Sequence, residues 1–227
     1  MIVERSMHAD WLSNAYLVGD EPGGTAVFVD SGAPLAPLLA AVEQHGLTPT
    51  HLLVTHGHAD HVAGDEELLR RFGLERVAFP VTEPFVVGGL RIVPLPTPGH
   101  SPDGVAFLVD DTVCFSGDTL FAGSVGGSQS SFADLRRSVM DVLLALPPEV
   151  RVLPGHTDAT TVAREWEENP FVRAWRGADP EGTEPCLVNG EPATLIVWGG
   201  DYDGGHKAWV RFPDGRDAIV GGSRVQR

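Results

Sequence analysis

His56, His58, Asp60 and His61 stand within six positions, directly after the apolar run Leu52-Leu53-Val54. The chain has nine His in 227 residues, and at that composition His-x-His-x-Asp-His should arise by chance in about one such sequence in a thousand. Imidazole and carboxylate ligands together suit zinc, iron or manganese. If residues 52–55 form a strand, the period of two sends His56 and His58 off its end on the same side. Asp60 and His61 then open a helix through Val62, Leu68, Leu69 and Phe72, closed by Gly73 as a C-terminal cap. Two pairs of ligands aimed in different directions suit two adjacent metals better than one.

Three more candidates follow strand-like sequence. His100 lies in Thr97-Pro98-Gly99-His100-Ser101, Asp118 in Gly117-Asp118-Thr119, and His156 in Pro154-Gly155-His156-Thr157. Each time an apolar run ends in a Gly-containing turn and then a ligand-type side chain. Strand-end loops on one edge of a sheet can converge.

With these residues the chain resembles the metallo-β-lactamase superfamily, whose signature is Thr-His-x-His-x-Asp-His, here Thr55 to His61. Within it the sequence is most similar to short glyoxalase II-like (hydroxyacylglutathione hydrolase) proteins. The similarity runs over about 11–175. It includes Asp30-Ser31-Gly32, Gly117-Asp118-Thr119-Leu120-Phe121, Gly123-Ser124-Val125-Gly126 and Asn169-Pro170-Phe171. The resemblance implies that His56, His58 and His100 hold one ion, that Asp60, His61 and His156 hold a second, and that Asp118 bridges both. The two carboxylates Asp60 and Asp118 are the candidate catalytic residues. The ions implied are two divalent metals, zinc first, with iron or manganese as alternatives. The resemblance also implies a four-layer αββα sandwich, an α+β fold, and an Asp30 that lies behind the metal loop and orders it. Read from the residues alone, Asp30 serves equally as a turn former. Two departures stand out: the helical C-terminal domain of longer glyoxalase II enzymes is missing, and Gly127 stands where the short subgroup has Arg.

Two metals a few ångströms apart lower the pKa of a bridging water towards about 7. A hydroxide made this way would attack an acyl-thiol, whose departing thiolate is a soft anion suited to zinc or iron. The expected reaction is therefore metal-dependent hydrolysis of a small-molecule thioester. No side-chain nucleophile competes: Ser101 and Ser116 lack a Gly-x-Ser-x-Gly elbow, and Cys114 sits in an apolar strand pattern as a packing residue. The alternatives are a persulfide dioxygenase with one iron on His56, His100 and Asp118, and another hydrolase of the superfamily such as a lactonase or β-lactamase.

Net charge is −15, with Lys207 the only lysine beside fifteen arginines. That balance disfavours a nucleic-acid partner. No stretch approaches the roughly 20 apolar residues of a membrane span, and the start carries no apolar signal core. Two cysteines make no disulfide framework, so a cytoplasmic location is expected. The other histidines match nothing in the motif; His45, just before Gly46, reads as a helix C-terminal residue.

The elements that must position the site alternate strands with helices. Strands are expected at 15–18, 27–29, 91–95, 104–109 and 112–116, the last two joined by a tight Asp110-Asp111 turn. A helix over 34–45 places Leu35, Leu38, Leu39 and Val42 on one face, with Pro34 and Pro37 in its first turn. Ser131 with Asp134 resembles a capping box for a helix carrying Leu135, Val139, Val142, Leu143 and Leu146, and another helix spans 161–168. Residues 1–176 form the expected catalytic domain, 177–185 a Gly/Asp/Pro/Glu-rich linker, and 186–227 a small β-rich module of three short strands at 193–198, 207–212 and 217–220. That module reads as a packing appendage, a homodimer contact or a substrate lid. His206 would need a large fold-back to reach the metals.

Overall fold

The structure, a computed structural model, describes residues 1–227. Two mixed sheets pack face to face. The first orders Ile2–Met7, Asn14–Gly19, Thr25–Val29, Thr48–Leu53 and Glu75–Val77. The second orders Thr160–Thr161, Arg151–Pro154, Val113–Gly117, Val105–Val109, Leu90–Pro96 and Phe85–Val87.

Side-chain alternation along the strands builds the layers. Tyr16, Val18, Val27, Val29 and Leu53 face the second sheet and meet Phe107, Val109, Phe115 and Leu153 there. Their neighbours Ala15, Leu17, Ala26, Phe28 and Leu52 point the other way, under the helices Ala36–His45 and Asp65–Phe72. On the second sheet Ala106, Leu108, Cys114 and Val152 point outward under Phe132–Arg137, Val162–Glu168 and Pro170–Trp175. Strands covered on both faces read as unbroken apolar runs, which is why 15–18 and 105–109 show no polar alternation. The result is the αββα sandwich, with the inter-sheet layer contributing roughly 1.5–3 kcal/mol for each large apolar side chain it removes from water.

Local sequence chemistry fixes the element ends. Ser131 Oγ accepts from Asp134 N–H at 3.2 Å, and Asn169 Oδ1 accepts from Phe171 N–H at 3.1 Å, satisfying donors a helix N-terminus leaves open. Asp110 and Asp111 both take positive φ, 50° and 55°, as a two-residue hairpin turn requires. Gly46 closes the first helix with φ 65°, while the His45 ring turns away to pair with Glu4 Oε1 at 3.1 Å.

The metal-motif helix differs from expectation. It is a single turn, Ala59–Val62, broken at Gly64 before Asp65–Phe72. The Gly64 N–H leaves the helical pattern for the carbonyl and hydroxyl oxygens of Ser31, both at 3.1 Å, and a Cβ there would press on the Ser31 carbonyl. The helix after Ser131 also changes character, running on from Arg137 as the wider π-helix Ser138–Leu143.

The C-terminal residues form a five-stranded antiparallel sheet rather than three strands. Its order is Asp217–Gly221, His206–Arg211, Glu191–Gly200, Glu184–Val188 and Val225–Gln226. Glu184–Val188 begins inside the stretch expected to be linker: its Cys186 and Val188 alternate into the module core, whereas the preceding residues are polar. One face of this sheet holds that small core; Ile196, Trp209 and Ile219 on the other join Phe171 and Trp175 in the main core. A module so small buries too little surface to stand alone, and here it packs against the second sheet's helices.

Candidate metal centre

Five of the seven candidate ligands lie in loops that follow strands, and Asp60 and His61 sit on the single turn Ala59–Val62. His56 and His58 follow Thr48–Leu53, with the Val105 N–H donating to the Thr55 carbonyl at 2.9 Å to tie that loop to the second sheet. Val113–Gly117 and Arg151–Pro154 run parallel and adjacent, so Asp118 and His156 emerge side by side. The Gly155 N–H donates to the Gly117 carbonyl at 2.9 Å, and the Gly155 carbonyl accepts from Asn14 N–H at 2.6 Å. A Cβ on Gly155 would overlap Asp118 Oδ1 and the His61 ring, so the cluster needs glycine there.

The structure brings all seven predicted residues together. His56, His58 and His100 form one set of potential ligand atoms, and Asp60, His61 and His156 another, each lying within 4.8 Å of one another. His56, His61 and Asp118 form a third such set. His58 Nδ1 is 3.0 Å from His56 Nε2 and 3.1 Å from His100 Nε2. His156 Nε2 stands 3.5 Å from Asp60 Oδ2 and 3.3 Å from Asp118 Oδ2; His61 Nε2 is 3.7 Å from Asp60 Oδ2 and 3.3 Å from Asp118 Oδ1. Asp118 Oδ2 is also 3.5 Å from His100 Nε2, so this carboxylate touches both sets.

These spacings fit metal ions. Ligand atoms about 2.0–2.1 Å from a tetrahedral ion lie about 3.3 Å apart, close to the separations above and too long for most to be good hydrogen bonds. His61 Nε2 and Asp118 Oδ1 are buried and neither makes a hydrogen bond. Buried polar atoms left so cost free energy, and a cation would satisfy them.

The outward ring nitrogens settle which nitrogens face inward. Asp30, 2% exposed, accepts from Thr55 N–H, Thr55 Oγ1–H and His61 Nδ1, all at 2.8 Å. Thr55 Oγ1 is 3.2 Å from His56 Nδ1, so one carboxylate orients both imidazoles, the second being reached through a hydroxyl. His100 Nδ1 donates to the Gly127 carbonyl at 3.0 Å. With these nitrogens engaged as donors, the inward ones carry lone pairs. Asp30 itself takes φ 55°, so it is at once the turn former and the ordering residue.

Among the buried ligand imidazoles His156 is the exception, its Nδ1 lying buried without a hydrogen-bond partner in the protein. Its ring instead stacks on Tyr202 of the C-terminal module, centroids 4.1 Å apart and planes 16° from parallel, with the edge of Phe121 at 5.8 Å. Sequence reasoning missed Tyr202; aromatics beside Gly-Asp turns are too common to signal a site. It also missed Asn14 and Tyr16, which both donate to the Pro154 carbonyl and hold the His156 loop. His206 is not in the cluster; it is exposed and stacks on Trp198 at 4.7 Å.

Without ions the cluster's charges are strongly coupled. Burial lowers the pKa of His56, helped by the neighbouring imidazoles, to about 3 despite Asp118. Burial acts in the same sense on His156 and His61, but nearby carboxylates overcome it. Asp118 and Asp60 raise His156 to about 9, and Asp118 and Asp30 hold His61 well above its usual value. Burial would raise Asp118, yet His61 and His156 keep it well below the carboxylate range.

A cleft of about 490 Å³ opens over this cluster. His100, Asp118, Phe121 and the Gly126-Gly127 backbone line one side, and Tyr202, Val220 and Arg224 of the C-terminal module the other. The arrangement can bind divalent cations, orient a water and admit a small molecule beside it.

Comparison with known proteins agrees with this geometry. A family model for the Metallo-beta-lactamase superfamily matches residues 9–86 and 76–156, and the chain belongs to that superfamily. It is 31% identical over 206 residues to an uncharacterised protein of Mycobacterium tuberculosis, covering 70% of this chain and 92% of the relative. It is 27% identical over 198 residues to the hydroxyacylglutathione hydrolase GloC of Haemophilus influenzae, covering 71% and 93%. Among solved structures it is similar to TTHA1623 in a di-iron-bound form, at TM-score 0.61 and 34% identity, covering 70% of this chain and 94% of the other. The family match ends at residue 156, so the C-terminal module lies outside it.

Proposed function

We propose that this protein is a two-metal hydrolase of small acyl-thiol thioesters, of the hydroxyacylglutathione hydrolase kind. The carrying observation is the convergence of seven ligand-type side chains beneath an open cleft. In this reading His56, His58 and His100 hold one divalent ion, Asp60, His61 and His156 the other, and Asp118 is shared, with zinc the first choice. When bound, such ions would supply Lewis acidity and a water whose pKa is lowered to about 7.

The chain's own residues do the rest. Asp118, 8% exposed and bounded by His61, His100 and His156, fixes the separation of the two sets. Asp60, part-exposed beside His61 and His156, would accept the proton of the attacking water and pass it to the departing thiolate. Asp30 keeps the His56 and His61 rings in register through the reaction. The cleft holds the acyl-thiol between the Gly126-Gly127 backbone and the Tyr202 wall.

Side-chain nucleophiles are occupied elsewhere. Ser101 Oγ is bonded to Asp103, and Ser116 Oγ donates to the Leu120 carbonyl at 2.8 Å. Cys114 is fully buried, and burial pushes its thiol up to about 12. Hydrolysis by an activated water needs none of them. Both cysteines are free and buried, in keeping with a reducing, cytoplasmic setting, and no helix is long and apolar enough to cross a membrane.

The test is turnover of a thioester panel by zinc-, iron- and manganese-loaded protein, with Asp118→Ala as the control. The expected result is release of free thiol by wild type, lost on chelation and restored by metal, and none from a folded Asp118→Ala. Oxygen consumption with a persulfide and a single bound iron, or full activity in Asp118→Ala, would refute the assignment.

A further inference from the structure

Tyr202 lies on the connection between Glu191–Gly200 and His206–Arg211. The connection is internally bonded: Asp201 N–H donates to the Gly205 carbonyl at 3.1 Å, and Asp201 Oδ1 accepts from Tyr202 N–H at 2.9 Å. Beneath it sits Lys207, 6% exposed, with Nζ 3.0 Å from Asp201 Oδ2. The same ammonium lies 5.3 Å from the Tyr202 ring centroid and 5.8 Å from that of Phe121, where ring quadrupoles attract it. The chain's single lysine thus clamps the two aromatics that flank His156. A second tie joins the module to the site: Ser128 N–H donates to the Ile219 carbonyl at 3.1 Å, and Ile219 N–H to Ser128 Oγ at 2.8 Å. Ser128 adjoins Gly127, whose carbonyl orients His100.

His56, His61 and His100 each have an outward nitrogen fixed by a polar group. Of the four buried ligand imidazoles His156 alone has none, whereas His58, also without a protein partner on its outer nitrogen, is part-exposed; ligand imidazoles need such orientation. We infer that the C-terminal module is part of the metal centre, with Tyr202 the positioning residue for His156: its stacked ring sets the imidazole plane where a hydrogen bond would otherwise do so. This rests on the two-ion reading above. A stacked neighbour fixes the plane but leaves rotation within it freer than a hydrogen bond does. The ion held by Asp60, His61 and His156 is therefore the one that depends on Tyr202.

Stepwise metal affinity of the full-length chain tests this, measured by competition with a chromophoric chelator on wild type, Tyr202→Leu and Tyr202→Phe. Tyr202→Leu should weaken one of the two ions about 10–100-fold, the range for groups that orient a metal ligand. The other ion and the melting of the metal-free protein should stay unchanged, and Tyr202→Phe, which keeps the stack, should bind like wild type. Cobalt-loaded protein should lose the visible bands of the second equivalent in Tyr202→Leu alone. Two ions bound equally tightly in Tyr202→Leu would overturn the role of Tyr202. So would loss of both ions together with the fold. A wild type that takes up one ion only would refute the two-ion reading itself, and this inference with it.

Discussion

Asp30→Asn isolates the residue that orders two ligands at once. The substitution keeps shape and hydrogen-bonding capacity, but replaces one of two acceptor oxygens by a donor. Asp30 faces three donors, Thr55 N–H, Thr55 Oγ1–H and His61 Nδ1, all at 2.8 Å and all buried. With the amide nitrogen in the Oδ2 position, donor meets donor at Thr55 Oγ1 and at His61 Nδ1. The hydroxyl can rotate; the ring, enclosed at 0% exposure, cannot. A hydrogen bond to a charged group is worth about 1.5–3 kcal/mol, and a stranded buried donor costs about 1–3 kcal/mol. Because these two figures overlap in what they count, the net expectation is about 2–4 kcal/mol. For a chain of this size each kcal/mol moves the melting temperature by about 2–4 °C, giving a fall of roughly 4–16 °C. The second effect is on metal. His61 can recover a satisfied Nδ1 only by moving its proton to Nε2, the nitrogen facing Asp118 and Asp60, which removes a ligand lone pair. Affinity for one ion should drop about 10–100-fold. Thermal melting of the metal-free protein and chelator competition measure the two effects separately. A variant that melts within about 2 °C of wild type and binds both ions as tightly would show that Asp30 is only a turn former.

Two further outcomes follow from buried groups away from the ligands. Lys207→Met leaves Asp201 an unpaired buried charge and should cost about 3–5 kcal/mol in chemical denaturation, while Asp201→Asn with Lys207→Met should recover most of that loss; equal stability of the single variant and wild type would remove the clamp. Cys114, with its thiol raised to about 12 by burial, should have a thiolate fraction of about 10⁻⁴ at pH 8. Alkylation by iodoacetamide should therefore be undetectable in the native protein, rising with pH and appearing at once on unfolding; prompt labelling at pH 8 would show that the strand packing is looser than described.

How far the sequence disclosed this site depended on how local each signal was. The His-x-His-x-Asp-His string carries its meaning in six residues, and Gly99, Gly117 and Gly155 mark the turns that deliver the other three ligands; nothing distant is needed to read them. The outer helix faces were legible for the same reason, since Leu38 and Val42, or Leu135 and Val139, repeat at helical spacing. What failed was set by contacts across the fold. Gly64 breaks the metal-motif helix because Ser31 waits opposite it, and no pattern near residue 64 reports that. The short strands Glu75–Val77 and Phe85–Val87 exist because a neighbour's edge pairs with them; three residues carry no periodicity of their own. Tyr202 was hidden most completely, as its role depends on the module folding back over a site whose motif lies about 140 positions earlier.

Charge ties the two halves of the molecule together. Asp30, Asp60 and Asp118 bring three carboxylates to one cluster, two of them almost wholly buried. In low dielectric such a concentration stands only if positive charge accompanies it. Without ions the protein recruits protons: His61 and His156 are the histidines held above their usual range, and they are the two nearest Asp118, each at 3.3 Å, with His100 at 3.5 Å. Two divalent cations would carry four positive charges against the three carboxylates, leaving one for an anion arriving from the cleft. A chain of net charge −15 repels anions at long range, but that repulsion is screened within about 8–10 Å at ordinary ionic strength, whereas an anion in direct contact with a surplus positive charge at the base of the cleft would feel it with much less screening. With ions bound, the centre would thus be a place on an acidic molecule where negative charge developing on a ligand is stabilised. The C-terminal module, by walling one side of that cleft with Tyr202, Val220 and Arg224, replaces part of the solvent that would otherwise screen that charge.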